Sequence, residues 1–105
     1  MIEVKLHIHK NGYIISSSGH TSTDVCIAVS ANINTLHQYL ADREYEGNIK
    51  INERKYEYGE TYVDFIILND DNRTIIEAVI MAIMKGIKLI QHNFPQQVNF
   101  WWGYE

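Results

Sequence analysis

The sequence predicts an α+β fold: a two-layer sandwich with two helices packed on a five-stranded mixed sheet, in the order ββαββαβ. Three observations carry this. Apolar residues alternate with polar ones in five short stretches, two longer stretches carry helical stripes instead, and Gly, Asn or Pro stands near most junctions. Strands with one apolar face need a helical layer to cover it.

Ile2, Val4, Leu6 and Ile8 alternate with polar neighbours, as expected of a strand with one buried face. Asn11-Gly12 follows, the pair favoured in a two-residue type I′ turn, and the return strand runs from Tyr13 to about Ser18. From Val25 the period lengthens, and Val25, Val29, Ile33, Leu36 and Leu40 form one helical stripe. Thr23 or Asp24 is the expected cap, and Gly47 lies a few residues beyond the helix end. A second hairpin is expected from Asn48–Tyr56 and Glu60–Leu68, turning at Glu57-Tyr58-Gly59. The polar run Asn69 to Asn72 breaks that strand. Thr74 and Glu77 then have capping-box spacing, opening a helix through about Asn93 whose stripe is Ile76, Val79, Ile80, Ile83, Ile87 and Ile90. Pro95 stops the helix, and Gln97 to Trp102 alternates as a closing strand.

The 105 residues fit one domain, 1–105, with 46% hydrophobic and 21% charged residues, as in an ordinary globular chain. A net charge of −4 with scattered Lys and Arg argues against nucleic acid as a partner. Glu77, Lys85 and Lys88 interrupt the most apolar stretch, so no membrane partner is expected. The start lacks the apolar block of a signal peptide, and one cysteine allows no internal disulfide. Together these point to a reducing cytoplasm.

Cys26 falls in the first turn of the first helix, at its second or third position. Free amides and the helix dipole there favour a thiolate over a thiol. His20 stands six residues earlier, at the end of a strand, and the short turn between them can bring imidazole and thiol within reach, as an activated nucleophile needs. Amides of the same turn suit an oxyanion. Asp24 opposes the effect if its carboxylate turns to the sulfur. Most lone cysteines are small buried hydrophobes, so spacing alone favours packing over chemistry.

Gly19-His20, followed by Val25-Cys26-Ile27-Ala28-Val29-Ser30, resembles the signature of the ribosomal-processing cysteine protease (Prp) family. The likeness extends to Gly86-Ile87-Lys88-Leu89-Ile90, Phe94-Pro95 and the Val98 strand. It implies a cysteine endopeptidase with Cys26 as nucleophile, His20 as base, Gly19 and Ser30 as supporting positions, and no cofactor. It also implies a homodimer that trims the amino-terminal extension of a large-subunit ribosomal protein, or a phage relative that cuts a virion protein. Two departures stand out. The family's longer, glycine-containing loop is cut here to Thr21–Val25, and its acidic residue, three before the cysteine, is replaced by Thr23, with Asp24 displaced by one. A catalytically weak or inactive peptide-binding homodimer of the same fold is the alternative.

Other candidates are weaker. His7 and His9 share a strand face but lack a third ligand, so no metal site is expected. Tyr62, Trp101, Trp102 and Tyr104 suit a peptide or dimer surface as well as ordinary packing. His37 and His92 have no evident partner and are expected to be solvated. A two-residue turn at Asn11-Gly12 would place Glu3 opposite His20, where its carboxylate could orient the imidazole. A bend at Gly19 would instead send His20 elsewhere.

Overall fold

The computed structural model describes residues 1–104. Its elements are β1 (Ile2–His9), β2 (Gly12–Ser18), α1 (Thr23–Tyr45), β3 (Ile49–Glu57), β4 (Glu60–Ile67), α2 (Arg73–Asn93) and β5 (Val98–Tyr104), with a 3₁₀ turn at Asp70–Asn72 before α2. The sheet order is β3-β4-β2-β1-β5; β1 and β5 run parallel and the other neighbours antiparallel. This is the expected mixed sheet of an α+β sandwich.

One core lies between the sheet and the two helices. Ile2, Val4 and Leu6 of β1, Tyr13 and Ile15 of β2, and Val63 and Phe65 of β4 meet the α1 stripe Val25, Val29, Ile33, Leu36 and Leu40, all buried. The α2 stripe holds at Ile76, Ile80, Ile83 and Ile87; Met84 joins it, while Val79 and Ile90 are only partly buried. Gly47, at φ +81, follows the end of α1. Among the described residues no helix is long and apolar enough to cross a membrane.

Four local expectations are corrected. The first hairpin turns at Lys10-Asn11, because His9 pairs with Gly12, and no residue there has positive φ. Gly12 is needed for a different reason: a Cβ on it would lie 2.0 Å from the Phe65 carbonyl oxygen, where β2 crosses close to β4. The register moves accordingly, and Glu3 faces Ser18 rather than His20. Ser22, not Thr23 or Asp24, occupies the cap position of α1, which places Cys26 at the fourth helical residue. The Thr74–Glu77 capping box does not form. Asn72 precedes α2 without a side-chain cap, and the Glu77 carboxylate instead accepts a hydrogen bond from the Tyr13 hydroxyl, linking α2 to β2.

His37 is the fourth correction. It is buried, its Nδ1 accepts from Arg54 Nε at 3.1 Å, and its ring packs edge-on against Tyr56 at 5.0 Å. β3 folds over this side of α1 and removes the ring from water. Burial, then the neighbouring Arg54 charge, lowers its pKa to about 4.

Candidate active site

Gly19 decides where His20 goes. Its φ is +106, and a Cβ on it would lie 2.1 Å from the Met1 carbonyl oxygen, so only glycine fits. The Gly19 N–H donates to the Gly59 carbonyl at 3.1 Å, and the Met1 amino group donates to the His20 carbonyl at 3.0 Å. The chain therefore leaves the strand alternation at Gly19, and the bend rather than the straight strand is what forms. Met1 takes the place opposite His20 that a turn at Asn11-Gly12 would have given to Glu3. The Glu3 carboxylate has no role in holding the ring through that register.

The imidazole lies over the tip of the β3–β4 hairpin. A Cβ on Gly59 would sit 2.5 Å from His20 Nε2, so this second glycine makes room for the ring. The Tyr58 ring is 5.0 Å from it, centre to centre. Gly59 also has positive φ, at the second position of the two-residue turn Tyr58-Gly59 between Glu57 and Glu60.

Cys26 is half-buried, packed at the margin of the core. Its own N–H is already committed to the Ser22 carbonyl at 2.9 Å. Side chains on a helix lean toward its amino end, and the sulfur accordingly reaches back over the first turn. Thr21 N–H donates to Sγ at 3.3 Å, and the thiol faces the Thr21 carbonyl oxygen at 3.5 Å. The thiol's hydrogen-bond partner is thus the Thr21 backbone, not the imidazole.

Cys26 and His20 nonetheless line the same surface. One groove of about 400 Å³ runs between α1 and the hairpin tip, with Ile2, Val29 and Ile33 at its base and Ser30, Asn34 and Tyr58 on its walls. Ser17 and Thr61 share a 2.6 Å hydroxyl hydrogen bond on its strand side. A second hollow of about 610 Å³ continues past Thr21, Thr23 and Ile27, and shares Cys26, His20, Ser30 and Asn34 with the first. Ser30 is one helical turn beyond Cys26 and exposed to the groove. Asp24 is exposed on the first turn of α1 and lines neither hollow.

The sequence reading missed the partners of the turn itself. Gln97, just before β5, accepts at Oε1 from Thr21 Oγ1 at 2.7 Å, Ser22 Oγ at 2.6 Å and Ser22 N at 3.3 Å. Ser22 therefore occupies a cap position while no side chain caps α1. A contact across 75 residues leaves no trace in local periodicity. Asn34 and Tyr58 were also missed, since each looks like an ordinary surface residue.

The other histidines go elsewhere. The His7 ring contacts Trp101 at 4.8 Å, and His9 Nε2 lies 3.6 Å from Asp64. No group of three or more potential metal-ligating His, Cys, Asp or Glu exists among the described residues.

No family model and no curated protein matches the chain. Solved structures do match it over nearly its whole length. The ribosomal processing protease Prp of S. aureus, bound to a covalently linked product peptide, is 13% identical with a TM-score of 0.75, covering 98% of this chain and 100% of that one. The same protease with a substrate peptide gives 12% and 0.70, with full coverage of both chains. The protein SMU.848 of Streptococcus mutans gives 16% and 0.69, covering 100% of this chain and 96% of the other.

Proposed function

From a chain that has the fold of the S. aureus ribosomal processing protease, we infer a cysteine endopeptidase acting on a peptide segment laid between α1 and the β3–β4 hairpin. One observation carries the reading: Cys26 and His20, from different elements, face one groove in a fold that binds peptide in its structural neighbour. His20 takes the Cys26 proton, and the sulfur attacks the scissile carbonyl. The imidazolium then protonates the leaving amine, and water activated by the same imidazole hydrolyses the thioester. The uncapped amides at the start of α1 suit the developing oxyanion. Productive contact requires the exposed His20 side chain to swing from Gly59 toward the sulfur, a motion fast on the scale of turnover. Gly19 and Ser30 serve as supporting positions, and Asp24 has no assigned step. The inferred substrate is the terminal segment of a ribosomal or phage virion protein, met by a homodimer in the cytoplasm.

A second reading has an observation behind it. The thiol's engagement with Thr21 rather than His20 suits a module that binds peptide without cutting it. Labelling new amino termini in a lysate treated with wild type or Cys26→Ala separates the two. Cleavage present with wild type and absent with the variant supports the peptidase. Folding should change by no more than about 1–2 kcal/mol, since the side chain is only half-buried. No Cys26-dependent terminus would leave the binding module.

A further inference from the structure

We propose that Gln97 is a positioning residue for Cys26, holding the Thr21–Ser22 turn so that the Thr21 N–H stays on the sulfur and the first turn of α1 stays uncapped. Its purpose rests on the endopeptidase reading; its geometry does not.

The Gln97 side chain gathers three donors from two consecutive residues onto one oxygen. The Ser22 N–H can only donate, so it identifies the carboxamide atom it meets as the oxygen. The Gln97 backbone is equally committed. Its carbonyl accepts from Ile2 N–H at 2.8 Å, and its N–H donates to the Phe94 carbonyl at 3.0 Å. The clamp is therefore mounted where β1 begins and β5 enters the sheet.

Two consequences reach the sulfur. The Thr21 N–H, 3.3 Å from Sγ, is a hydrogen-bond donor whose attraction is stronger to a thiolate than to a thiol. Ser22 stands where a serine hydroxyl ordinarily accepts from the second or third helical amide. Here that hydroxyl donates to Gln97 instead, leaving the amides before Cys26 without a side-chain partner. Released from Gln97, Ser22 is free to cap the helix and Thr21 to leave the sulfur. Gln97 thus acts on the nucleophile without touching it.

The test is iodoacetamide alkylation of Cys26 across a pH series, with thermal midpoints measured in parallel, for wild type, Gln97→Met, Gln97→Glu and Thr21→Val. Gln97→Met keeps length and shape but loses the acceptor. It should slow alkylation about five- to tenfold near neutral pH and converge with wild type in alkali, where every thiol is ionised. Gln97→Glu retains the acceptors, but its charge opposes a thiolate, so it should recover only part of the neutral-pH rate. Superimposable profiles for Gln97→Met and wild type overturn the proposal. So does faster alkylation at every pH, the sign of a turn that merely shields the thiol. If Gln97→Met does not fold, Thr21→Val, which removes one of the three bonds, must show the same pH-selective slowing, and an unchanged profile overturns the proposal. A wild-type thiol as sluggish as a free cysteine would count against the peptidase. The difference between variants and wild type judges the clamp separately.

Discussion

Cys26 and His20 reach one groove because only the short connection 19–22 joins β2 to the helix that carries the thiol. That shared placement was legible in the sequence, since a strand end and a helix start joined by a short turn are neighbours; the role of the pair is a separate proposal. The placement of Glu3 was not legible, because it depended on a turn position, and a shift of the turn by one residue exchanges every partner across the hairpin. His37 illustrates another limit. It lies beside Leu36 on the flank of the α1 stripe, and only the arrival of Arg54 and Tyr56 from β3 makes that flank interior. Its burial has a pH consequence. The unfolded chain protonates this histidine near its ordinary value of 6.5, whereas the folded one does so at about 4. Between those values the unfolded state binds more protons, so stability is fully present above the window and falls as pH drops through it. Urea midpoints should show a loss of about 1–2 kcal/mol on going from neutral pH to the middle of that window, allowing for water near the Arg54 side. His37→Met should flatten this slope; an unchanged slope would assign it to the carboxylates.

At the scale of elements, both helices and all five strands follow from periodicity, since burial on one face forces apolar residues into periods of two or about four. Junctions were less legible. Asn11-Gly12 carries the residue types of a mirror-image turn, yet Gly12 serves close strand packing, a pressure exerted by Phe65 from more than fifty positions away. The expected caps fail at both helices: Ser22 rather than Thr23 or Asp24 stands at the start of α1 and donates to Gln97, and Glu77 accepts from Tyr13 instead of closing a capping box with Thr74. Gly12→Ala tests the reassignment. Gly12 has no positive φ, so turn conformation does not require glycine, and on that ground alone alanine would cost almost nothing. Because its Cβ would fall 2.0 Å from a backbone oxygen, β2 and β4 must separate, and urea unfolding should show a loss of at least about 2 kcal/mol.

For the whole molecule, the element order constrained the architecture while leaving strand neighbours undecided, because the packing of both helices selects the β3-β4-β2-β1-β5 order. That order leaves β5 at a sheet edge, where backbone groups with no strand neighbour invite another strand, although the Gln91 side chain already accepts from the Phe100 N–H. Its aromatic residues sharpen the point. Trp101 lies against His7 on the outer face, while Trp102, 55% exposed, sits with Met81, Met84 and Phe100 beside α2. Tyr104 is 78% exposed at the end of the same strand. An open edge flanked by two half-exposed indoles is a costly surface for a 12.2 kDa monomer to leave in water. A two-fold pairing that covers β5 and its aromatic flank is the expected state. Sedimentation at tens of micromolar should therefore give about twice the chain mass, and Trp102→Glu should return the protein to the monomer with little loss of folding, since most of that indole is outside the core. A wild-type monomer at that concentration would leave the aromatic edge to be covered by the bound peptide or its parent protein.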